Sequence, residues 1–187
     1  MPLTTLDAQT ALVLIDLQKG IVGLPTAPYP AQDVVARAAR LAAEFRRRRL
    51  PVVLVNVAGN APGRTAASLG GGGERPADHA ELCPELDPQD GDIRVTKQNW
   101  GAFYGTALDL ELRRRGVTQI VLGGIATRFG VESTARSAHE HGYHVTIAED
   151  LCTDMDADGH RASVDGVFPL LGETGTTEEV LAALPAV

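Results

Sequence analysis

Short apolar runs alternate along this chain with segments whose apolar residues recur at helical spacing. The runs at residues 11–17 and 52–57 are almost wholly apolar, as expected of strands that are buried on both faces. Between them, apolar residues recur every three or four positions over residues 31–49, which predicts an amphipathic helix that Pro51 ends. The order strand, helix, strand therefore opens the chain.

The same alternation continues to the C-terminal end of the sequence. Further strands are predicted at residues 93–96, 119–122, 144–148 and 170–173, and helices at 106–115, 133–141 and 158–167. A last helix is predicted to open at Thr176, with Glu179 completing a capping box. Buried strands that alternate with helices predict a parallel sheet covered on both faces. We expect an α/β fold of three layers, αβα and Rossmann-like, around a central, mainly parallel six-stranded sheet.

One long segment, residues 58–91, follows neither pattern. It is rich in glycine, proline and charge, and it includes the run Gly70 to Gly73. Loops of this length are unusual in compact domains, so the segment is predicted to form a lid or an excursion at an interface.

Length and charge narrow the classes of function. The chain has 187 residues, of which 44% are hydrophobic, and this suits one well-buried domain spanning residues 1–187. A net charge of −7 argues against nucleic acid or an anionic membrane as the main partner. The basic run Arg46 to Arg49 is explained by its place at the end of a predicted helix, where cations complement the helix dipole.

Hydrophobic runs and cysteine content indicate where in the cell the protein is expected. The chain has no apolar run that approaches the ~20 residues of a membrane span, and its first residues lack the pattern of a secretion signal. Two cysteines are too few for a disulfide framework. We therefore expect a cytoplasmic protein.

Polar residues of the kinds that take part in catalysis follow three of the predicted strands. Asp16 ends the first strand, Lys97 follows the third, and the turn at residues 127–130 follows the fourth. Because the carboxyl ends of neighbouring parallel strands meet in one crevice, these groups are predicted to converge. An Asp–Lys pair in a crevice can transfer protons, although it can equally be a structural ion pair. No G-x-G-x-x-G follows the first strand, so a dinucleotide cofactor is not expected.

Residues 123–136, GGIATRFGVESTAR, carry a specific resemblance. They resemble the nucleophile turn of the isochorismatase-like (cysteine) hydrolases, G-V-A-T-N-V-C-V-E-S-T-A-R. The D-x-Q of that family matches Asp16 and Gln18, and its lysine before an aromatic-containing loop matches Lys97. The resemblance covers nearly the whole chain and implies a single isochorismatase-like hydrolase domain, most similar to a cysteine-less bacterial branch.

The resemblance fails at the position of the nucleophile. Where the family usually has a cysteine, this chain has Gly130, which has no side chain to attack a substrate. The family's cysteine enzymes hydrolyse amides through an acyl-enzyme, whereas true isochorismatases cleave a vinyl ether without a thiol and use the aspartate as an acid. Cys83 and Cys152 are expected to be packing residues and not replacements.

The resemblance also implies the surroundings of the site. It implies a cis peptide between Ile125 and Ala126, with the N–H groups of Ala126 and Gly130 as an oxyanion hole. Arg128 is predicted either to pair with Asp16 or to hold an anionic substrate, and Trp100 either to line the crevice or to lie in the core. The residues expected to contact substrate are Gln18, Trp100, Phe103, Ile125, Ala126, Thr127, Arg128 and Phe129.

A metal centre is not expected. Nicotinamidases of this family hold zinc with an Asp-x-His and a further His, but residues 58–63 of this chain contain neither carboxylate nor imidazole. His139, His141, His144 and His160 are expected on the surface. We therefore predict neither a metal nor any other cofactor.

Three functions remain open at this point. The first is a cysteine-independent hydrolase of a small metabolite, which could be anionic, with Asp16 as acid/base and Lys97 as its partner. The second is a C–N (amide) hydrolase in which Asp16 activates water directly. The third is a non-catalytic pseudoenzyme that binds a small molecule or serves in an assembly. A small molecule and further copies of this chain, in a dimer or larger homo-oligomer, are the expected partners.

Overall fold

A six-stranded sheet in which all neighbouring strands are parallel forms the centre of the molecule, as predicted. The structure is a computed structural model that describes residues 1–61, 63–65 and 76–185. Its strands are β1 (Thr10–Ile15), β2 (Val52–Val57), β3 (Ile93–Lys97), β4 (Gln119–Ile125), β5 (His144–Thr153) and β6 (Glu173–Gly175). They lie in the order β3-β2-β1-β4-β5-β6, so the strand order reverses between β1 and β4. Ligands of α/β proteins bind at such a reversal, outside the carboxyl ends of the strands.

Helices connect these strands. They are α1 (Lys19–Val22), α2 (Ala31–Arg47), α3 (Leu108–Arg114), α4 (Glu132–Glu140), α5 (Ala157–Gly166), α6 (Phe168–Leu171) and α7 (Thr177–Ala183), with a 3₁₀ turn at Pro84–Leu86 and a π-helical turn at Thr127–Val131. The capping box predicted at Thr176 and Glu179 is present. Among the described residues, none of the helices is long and apolar enough to cross a membrane.

Each face of the sheet has its own hydrophobic core. Leu12 and Leu14 of β1 pack into the core that contains α2 and α7, whereas Val13 and Ile15 pack into the one that contains α3, α4 and α6. All six residues of β1 are buried, because successive side chains of a strand point to opposite faces and both faces are covered. The three-layer prediction is confirmed.

The predicted strand at residues 170–173 is wrong in its position. The chain forms the short helix α6 there, anchored by the buried ring of Phe168, and β6 begins only at Glu173. Between them, Gly172 passes so close to β5 that a Cβ would lie 2.0 Å from the carbonyl oxygen of Val145. This contact depends on the tertiary fold and leaves no mark in the local apolar pattern.

Two glycines let β4 extend to Ile125, three residues beyond its predicted end. Gly124 has a φ of 135°, and a Cβ there would lie 2.1 Å from the carbonyl oxygen of Ile15. A Cβ at Gly123 would collide with the side chain of Leu151. Because neither glycine has a side chain, β4 can approach its neighbours closely and deliver the following turn next to the end of β1.

Part of the long segment 58–91 packs on the body of the protein. Leu82 bridges to Gln18, the N–H of Cys83 donates to Leu17 O at 3.0 Å, and Leu86 is buried. Pro62 and residues 66–75, including the glycine run, lie outside the described residues. A lid or interface role of this segment stays a prediction.

Candidate active site

Asp16 and Lys97 meet at the carboxyl edge of the sheet. Asp16 directly follows β1 and Lys97 is the last residue of β3, with β2 between them. Lys97 Nζ donates to Asp16 Oδ2 at 2.7 Å and to Asn99 O at 3.0 Å. Only 5% of Asp16 and 1% of Lys97 are exposed. The predicted proximity of these two groups is confirmed, and the pair is buried.

Half of the Asp16 carboxylate is uncommitted. Oδ2 accepts from Lys97, but Oδ1 is buried and has no hydrogen-bond partner among the described residues. Burial raises the pKa of Asp16 to about 6, although the charge of Lys97 and its hydrogen bond act in the opposite direction. A carboxyl group with a pKa near neutrality and one free oxygen can act as an acid or as a base.

The backbone of Asp16 lies in the left-handed region, with a φ of 53°. Its N–H donates to Val55 O at 2.9 Å, and its carbonyl oxygen accepts from the N–H of Gln18 at 2.9 Å. A residue other than glycine in this region carries a cost of about 1–3 kcal/mol, and such residues cluster at functional sites. The two backbone bonds therefore hold Asp16 in an unusual conformation from which its carboxylate reaches Lys97.

The position of the missing cysteine faces Asp16. A Cβ built on Gly130 would lie 3.2 Å from Asp16 Oδ2 and 3.5 Å from Trp100 O. The φ of Gly130 lies outside the left-handed region, so its backbone suits a side chain. However, the same Cβ would lie 2.7 Å from Ile15 Cγ2. A side chain at position 130 therefore requires the Ile15 methyl group to move.

The turn before Gly130 closes around one carbonyl group. The peptide bond between Ile125 and Ala126 is cis, and Ala126 O accepts from the N–H groups of Phe129 and Val131 at 3.1 and 3.3 Å. Ile125 and Ala126 are both buried. A substrate would therefore meet the turn through its backbone more than through these two side chains.

Thr134 joins the turn to the loop after β3. Its Oγ1 donates to Gly130 O at 2.6 Å and accepts from the N–H of Ala102 at 3.1 Å. The segments that carry Lys97 and Gly130 are thus fixed relative to one another.

Arg128 does not pair with Asp16. Its guanidinium group binds Asp154 Oδ1 at 3.0 Å, its N–H donates to Asp154 Oδ2 at 2.8 Å, and Asp156 lies 3.7 Å away. Asp154 follows β5, which lies next to β4 in the sheet. The carboxylate of Asp154, and not that of Asp16, therefore lies within reach of Arg128. The predicted pairing with Asp16 is wrong, and the charge of Arg128 is already compensated.

Two other residues expected to bind substrate are engaged in structural hydrogen bonds. The buried Gln18 amide donates to Val57 O at 3.0 Å and His79 O at 2.9 Å, and it accepts from the N–H of Val57 at 2.7 Å. The buried Thr127 hydroxyl lies 2.9 Å from His160 Nδ1. Both side chains position the chain around the site.

His160 is a residue that sequence reasoning placed wrongly. Only 7% of it is exposed, and burial lowers its pKa, whereas His139, His141 and His144 lie on the surface as expected. Nothing in the sequence around position 160 resembles a motif, and only the fold brings α5 against the turn. Its contact with Thr127 is therefore a finding of the structure alone.

The aromatic residues divide between the surface and the core. Trp100 is 53% exposed and makes an edge contact with Phe129, their ring centroids 4.9 Å apart. Trp100 is therefore not a core residue. Phe103, in contrast, is buried and stacks on His141 at 4.9 Å beside Tyr143. We retain Trp100 and Phe129 as candidate lining residues and assign Phe103 to the core.

Neither cysteine has the environment of a reactive thiol. Both are buried, and Cys152 Sγ donates to Ala148 O. Burial raises the pKa of Cys83 to about 11 and that of Cys152 to about 12. Within residues 1–61, 63–65 and 76–185, His, Cys, Asp and Glu side chains form no group of three that could hold a metal ion.

Comparison with known proteins agrees with this geometry. Residues 10–179 match the model of the isochorismatase domain. The isochorismatase family protein YwoC of Bacillus subtilis is 47% identical, over 92% of this chain and 93% of its own. The solved structure of an isochorismatase family protein from Burkholderia thailandensis superposes with a TM-score of 0.85 at 44% identity, covering 96% of this chain and 97% of that one.

A further relative is named as an amidohydrolase. Maleamate amidohydrolase of Pseudomonas putida is 29% identical over 93% of this chain and 86% of its own length. The domain match spans far more than half of the sequence, and the sheet order, the buried Asp–Lys pair and the turn at Gly130 lie within it. On this basis, the chain belongs to the isochorismatase family of hydrolases.

Proposed function

We propose that this protein is a cysteine-independent hydrolase of a small metabolite, with Asp16 as its acid/base and Lys97 as the partner of that carboxyl group. The observation that carries the proposal is the free, buried Oδ1 of Asp16, combined with a pKa of about 6. A carboxylate that served only to pair with Lys97 would gain from a second donor, and no described residue donates a hydrogen bond to Oδ1. The uncommitted oxygen is therefore suited to a substrate atom.

In the acid direction, Asp16 transfers its proton to the carbon of a vinyl ether. Water then adds to the resulting cation, the hemiketal breaks its C–O bond to release a ketone and an alcohol, and a proton returns to Asp16. Lys97 favours the ionised form of Asp16 that results from the first step. This sequence needs no nucleophilic side chain, and the glycine at position 130 supplies none.

A second candidate is amide hydrolysis, which the relationship to maleamate amidohydrolase favours. Asp16 would then act as a base, removing a proton from a water molecule that attacks the carbonyl carbon. The space next to Gly130 would have to admit that water, and the Ile15 methyl group limits it. Because the space is narrow, we rank this function second.

A substrate screen with a pH profile tests both candidates. Vinyl ethers including isochorismate and small amides would be assayed with the wild-type protein and with Asp16→Asn. We expect the variant to lose about 10²–10⁴-fold in kcat/KM, the contribution typical of one acid–base group. Asp92→Asn is the matched control, because Asp92 is also a buried carboxylate paired with a cation but lies at the opposite edge of the sheet.

The direction of the pH profile separates the two chemistries. If Asp16 is an acid, kcat/KM falls as the pH rises through about 6, because the protonated form is lost. If Asp16 is a base, kcat/KM rises over the same range. Activity that Asp16→Asn retains in full, or no turnover of any compound in either class, would contradict the proposal and favour a non-catalytic binding protein.

A further inference from the structure

A basic cavity lies at the edge of the sheet opposite to Asp16. It has a volume of about 690 Å³, and its walls include Pro51 and Val52 at the start of β2 and Asp92 just before β3. Because the strands are parallel, their amino ends form one edge and their carboxyl ends the other. This cavity is therefore separate from the candidate active site.

Four arginines line this cavity, although the chain as a whole carries a net charge of −7. Arg46, Arg48 and Arg49 come from the end of α2, and Arg115 follows α3. Asp92 is the one acidic residue in the lining. A concave surface lined by one sign of charge concentrates the electrostatic potential and attracts ions of the opposite sign.

Three of these arginines are held by the protein. Arg46 binds both oxygens of Asp92, at 3.0 and 2.8 Å, and Asp92 is almost fully buried. Arg48 binds Glu44 and donates to Pro185 O, and Arg115 binds Glu111. Their guanidinium groups are thus oriented before any ligand arrives, which lowers the cost of binding.

Arg49 differs from the other three. Its side chain is exposed, and the guanidinium group makes no hydrogen bond or ion pair with any described residue. Its backbone lies in the left-handed region, with a φ of 58°, directly after the cap of α2. Arg49 therefore presents an unpaired guanidinium group at the cavity.

Local charges leave a positive surplus. Arg47 and Arg48 share the single carboxylate of Glu44, Arg46 is matched by Asp92, and Arg115 by Glu111. The four lining arginines therefore stand against three carboxylates, and the charge of Arg49 is the one left over. The C-terminal dipoles of α2 and α3 explain why cations gather here.

We propose that this cavity binds a small anion, either a phosphate monoester or a dicarboxylate. The unmatched charge of Arg49 attracts such a ligand, and the planar guanidinium fork binds both phosphate and carboxylate through paired hydrogen bonds. The volume suits a metabolite. A nucleic acid or an anionic membrane fits poorly, because the net charge of the whole chain repels an extended polyanion.

The test is a titration of the intact protein with inorganic phosphate and, separately, with succinate. Amide chemical shifts in NMR spectra would be followed at an ionic strength held constant with sodium chloride. We expect saturable shifts of residues around the cavity, with a Kd of about 1 mM or tighter for at least one of the two anions. Saturation by phosphate alone assigns the site to phosphate esters, and saturation by succinate alone assigns it to dicarboxylates.

Two variants distinguish a defined anion-binding site from a general effect of positive charge on the surface. Arg49→Gln removes the unpaired guanidinium group, and we expect it to weaken binding about tenfold or more. Arg114→Gln removes an equal charge from an exposed neighbour of Arg115 that does not line the cavity, and we expect less than about a twofold effect. The proposal is overturned if neither anion saturates, or if the two variants weaken binding equally.

Discussion

Two buried aspartates lie on either side of the turn at residues 127–131, and they accept different numbers of hydrogen bonds. Asp154 has both oxygens engaged, by the guanidinium group and N–H of Arg128 and by the N–H of Met155. Asp16 has one oxygen engaged, by Lys97, and the other free. Both residues end a strand and both pair with a cation, so the contrast lies in the number of donors.

This contrast separates structural from chemical use of a buried carboxylate. Burial of a charge is tolerated when hydrogen bonds replace those lost to water, and Asp154 meets that condition. Asp16 does not meet it, and burial accordingly raises the pKa of its carboxyl group. A site that leaves a buried oxygen unsatisfied gives up stability there, and a substrate can recover it on binding. The comparison therefore predicts that Asp154 matters for folding and Asp16 for chemistry.

The largest effect on stability is expected from Asp154→Ala. The substitution leaves the N–H groups of Arg128 and Met155 without an acceptor and removes the partner of the Arg128 guanidinium group. We expect a loss of about 2–4 kcal/mol in the free energy of unfolding, measured by urea denaturation. Most of it comes from the two N–H groups, because the Arg128 side chain is 38% exposed and water can solvate its charge. The control is Asp156→Ala, which removes the exposed N-cap of α5 and should cost about 1 kcal/mol. Equal losses in the two variants would show that hydrogen-bond saturation does not distinguish Asp154.

The second expected effect is a pH dependence of stability that comes from Asp16. The pKa of its carboxyl group is raised from 3.8 in the unfolded chain to about 6 in the native state. Between these values the native state binds the proton more tightly, so raising the pH through this window lowers the free energy of unfolding. The difference amounts to about 3 kcal/mol at most.

Urea denaturation of the wild type and Asp16→Asn between about pH 4 and pH 7 measures this dependence. The stability of the wild type relative to the variant should fall as the pH rises, because asparagine does not titrate. ¹³C NMR should show one aspartate carboxyl group that titrates near pH 6 and is missing in the variant. A relative stability that rises with pH would mean that pairing with Lys97 outweighs burial, and Asp16 would then resemble Asp154.

Gly130→Cys tests the space beside Asp16 Oδ2, the oxygen that Lys97 binds. The new Cβ requires Ile15 Cγ2 to move, and overpacking of this kind costs about 1–3 kcal/mol. Ile15→Leu, which removes that methyl branch, should return part of the loss when combined with Gly130→Cys. Because the new side chain points at Asp16 and Lys97, its thiol should react with iodoacetamide faster than Cys83 and Cys152, whose pKa values are raised by burial.

Gly166→Cys supplies the reference thiol for this experiment. A Cβ at Gly166 meets no atom within 4 Å, so it should be an ordinary exposed cysteine at little cost in stability. If the thiol at position 130 labels no faster than the thiol at position 166, Asp16 and Lys97 do not activate a neighbouring group. The contrast with Asp154 would then not mark Asp16 as a catalytic residue.

Local pattern was sufficient to predict most of the fold. Strand β2 was placed at its observed ends because its apolar run is bounded by Pro51 and by the small residues Ala58 and Gly59. The carboxyl end of β4 and the start of β6 were missed, because they depend on glycines whose need is visible only when a neighbouring strand is in place. Periodicity describes one segment at a time, whereas these boundaries are set between segments.

The candidate site was predicted less completely than the fold. Topology alone brought Asp16, Lys97 and the turn to one edge, since strand ends of a parallel sheet share that edge. The pairing of Arg128 was wrong, because the order of β4 and β5 places Asp154 next to it. His160 was missed because a residue of α5 is recognised as part of the site only through its contact with Thr127.

The smallest expected effect concerns the turn between the two aspartates. Thr127→Val keeps the shape of a buried side chain and removes the hydroxyl group that lies 2.9 Å from His160 Nδ1. Because the nitrogen is left without its partner, we expect a loss of about 0.5–1.5 kcal/mol in the free energy of unfolding, measured by urea denaturation.

Thr10→Val is the matched control for that substitution. Thr10 is also fully buried, but its hydroxyl group has no hydrogen-bond partner in the described part of the chain, so replacing it with a methyl group should be neutral or stabilising. The difference between the two variants therefore isolates the contact of Thr127 with His160 from the general preference of a core for apolar groups. If both variants are equally stable, that contact does not hold the turn. The ion pair of Arg128 with Asp154 would then be what holds the turn beside Asp16.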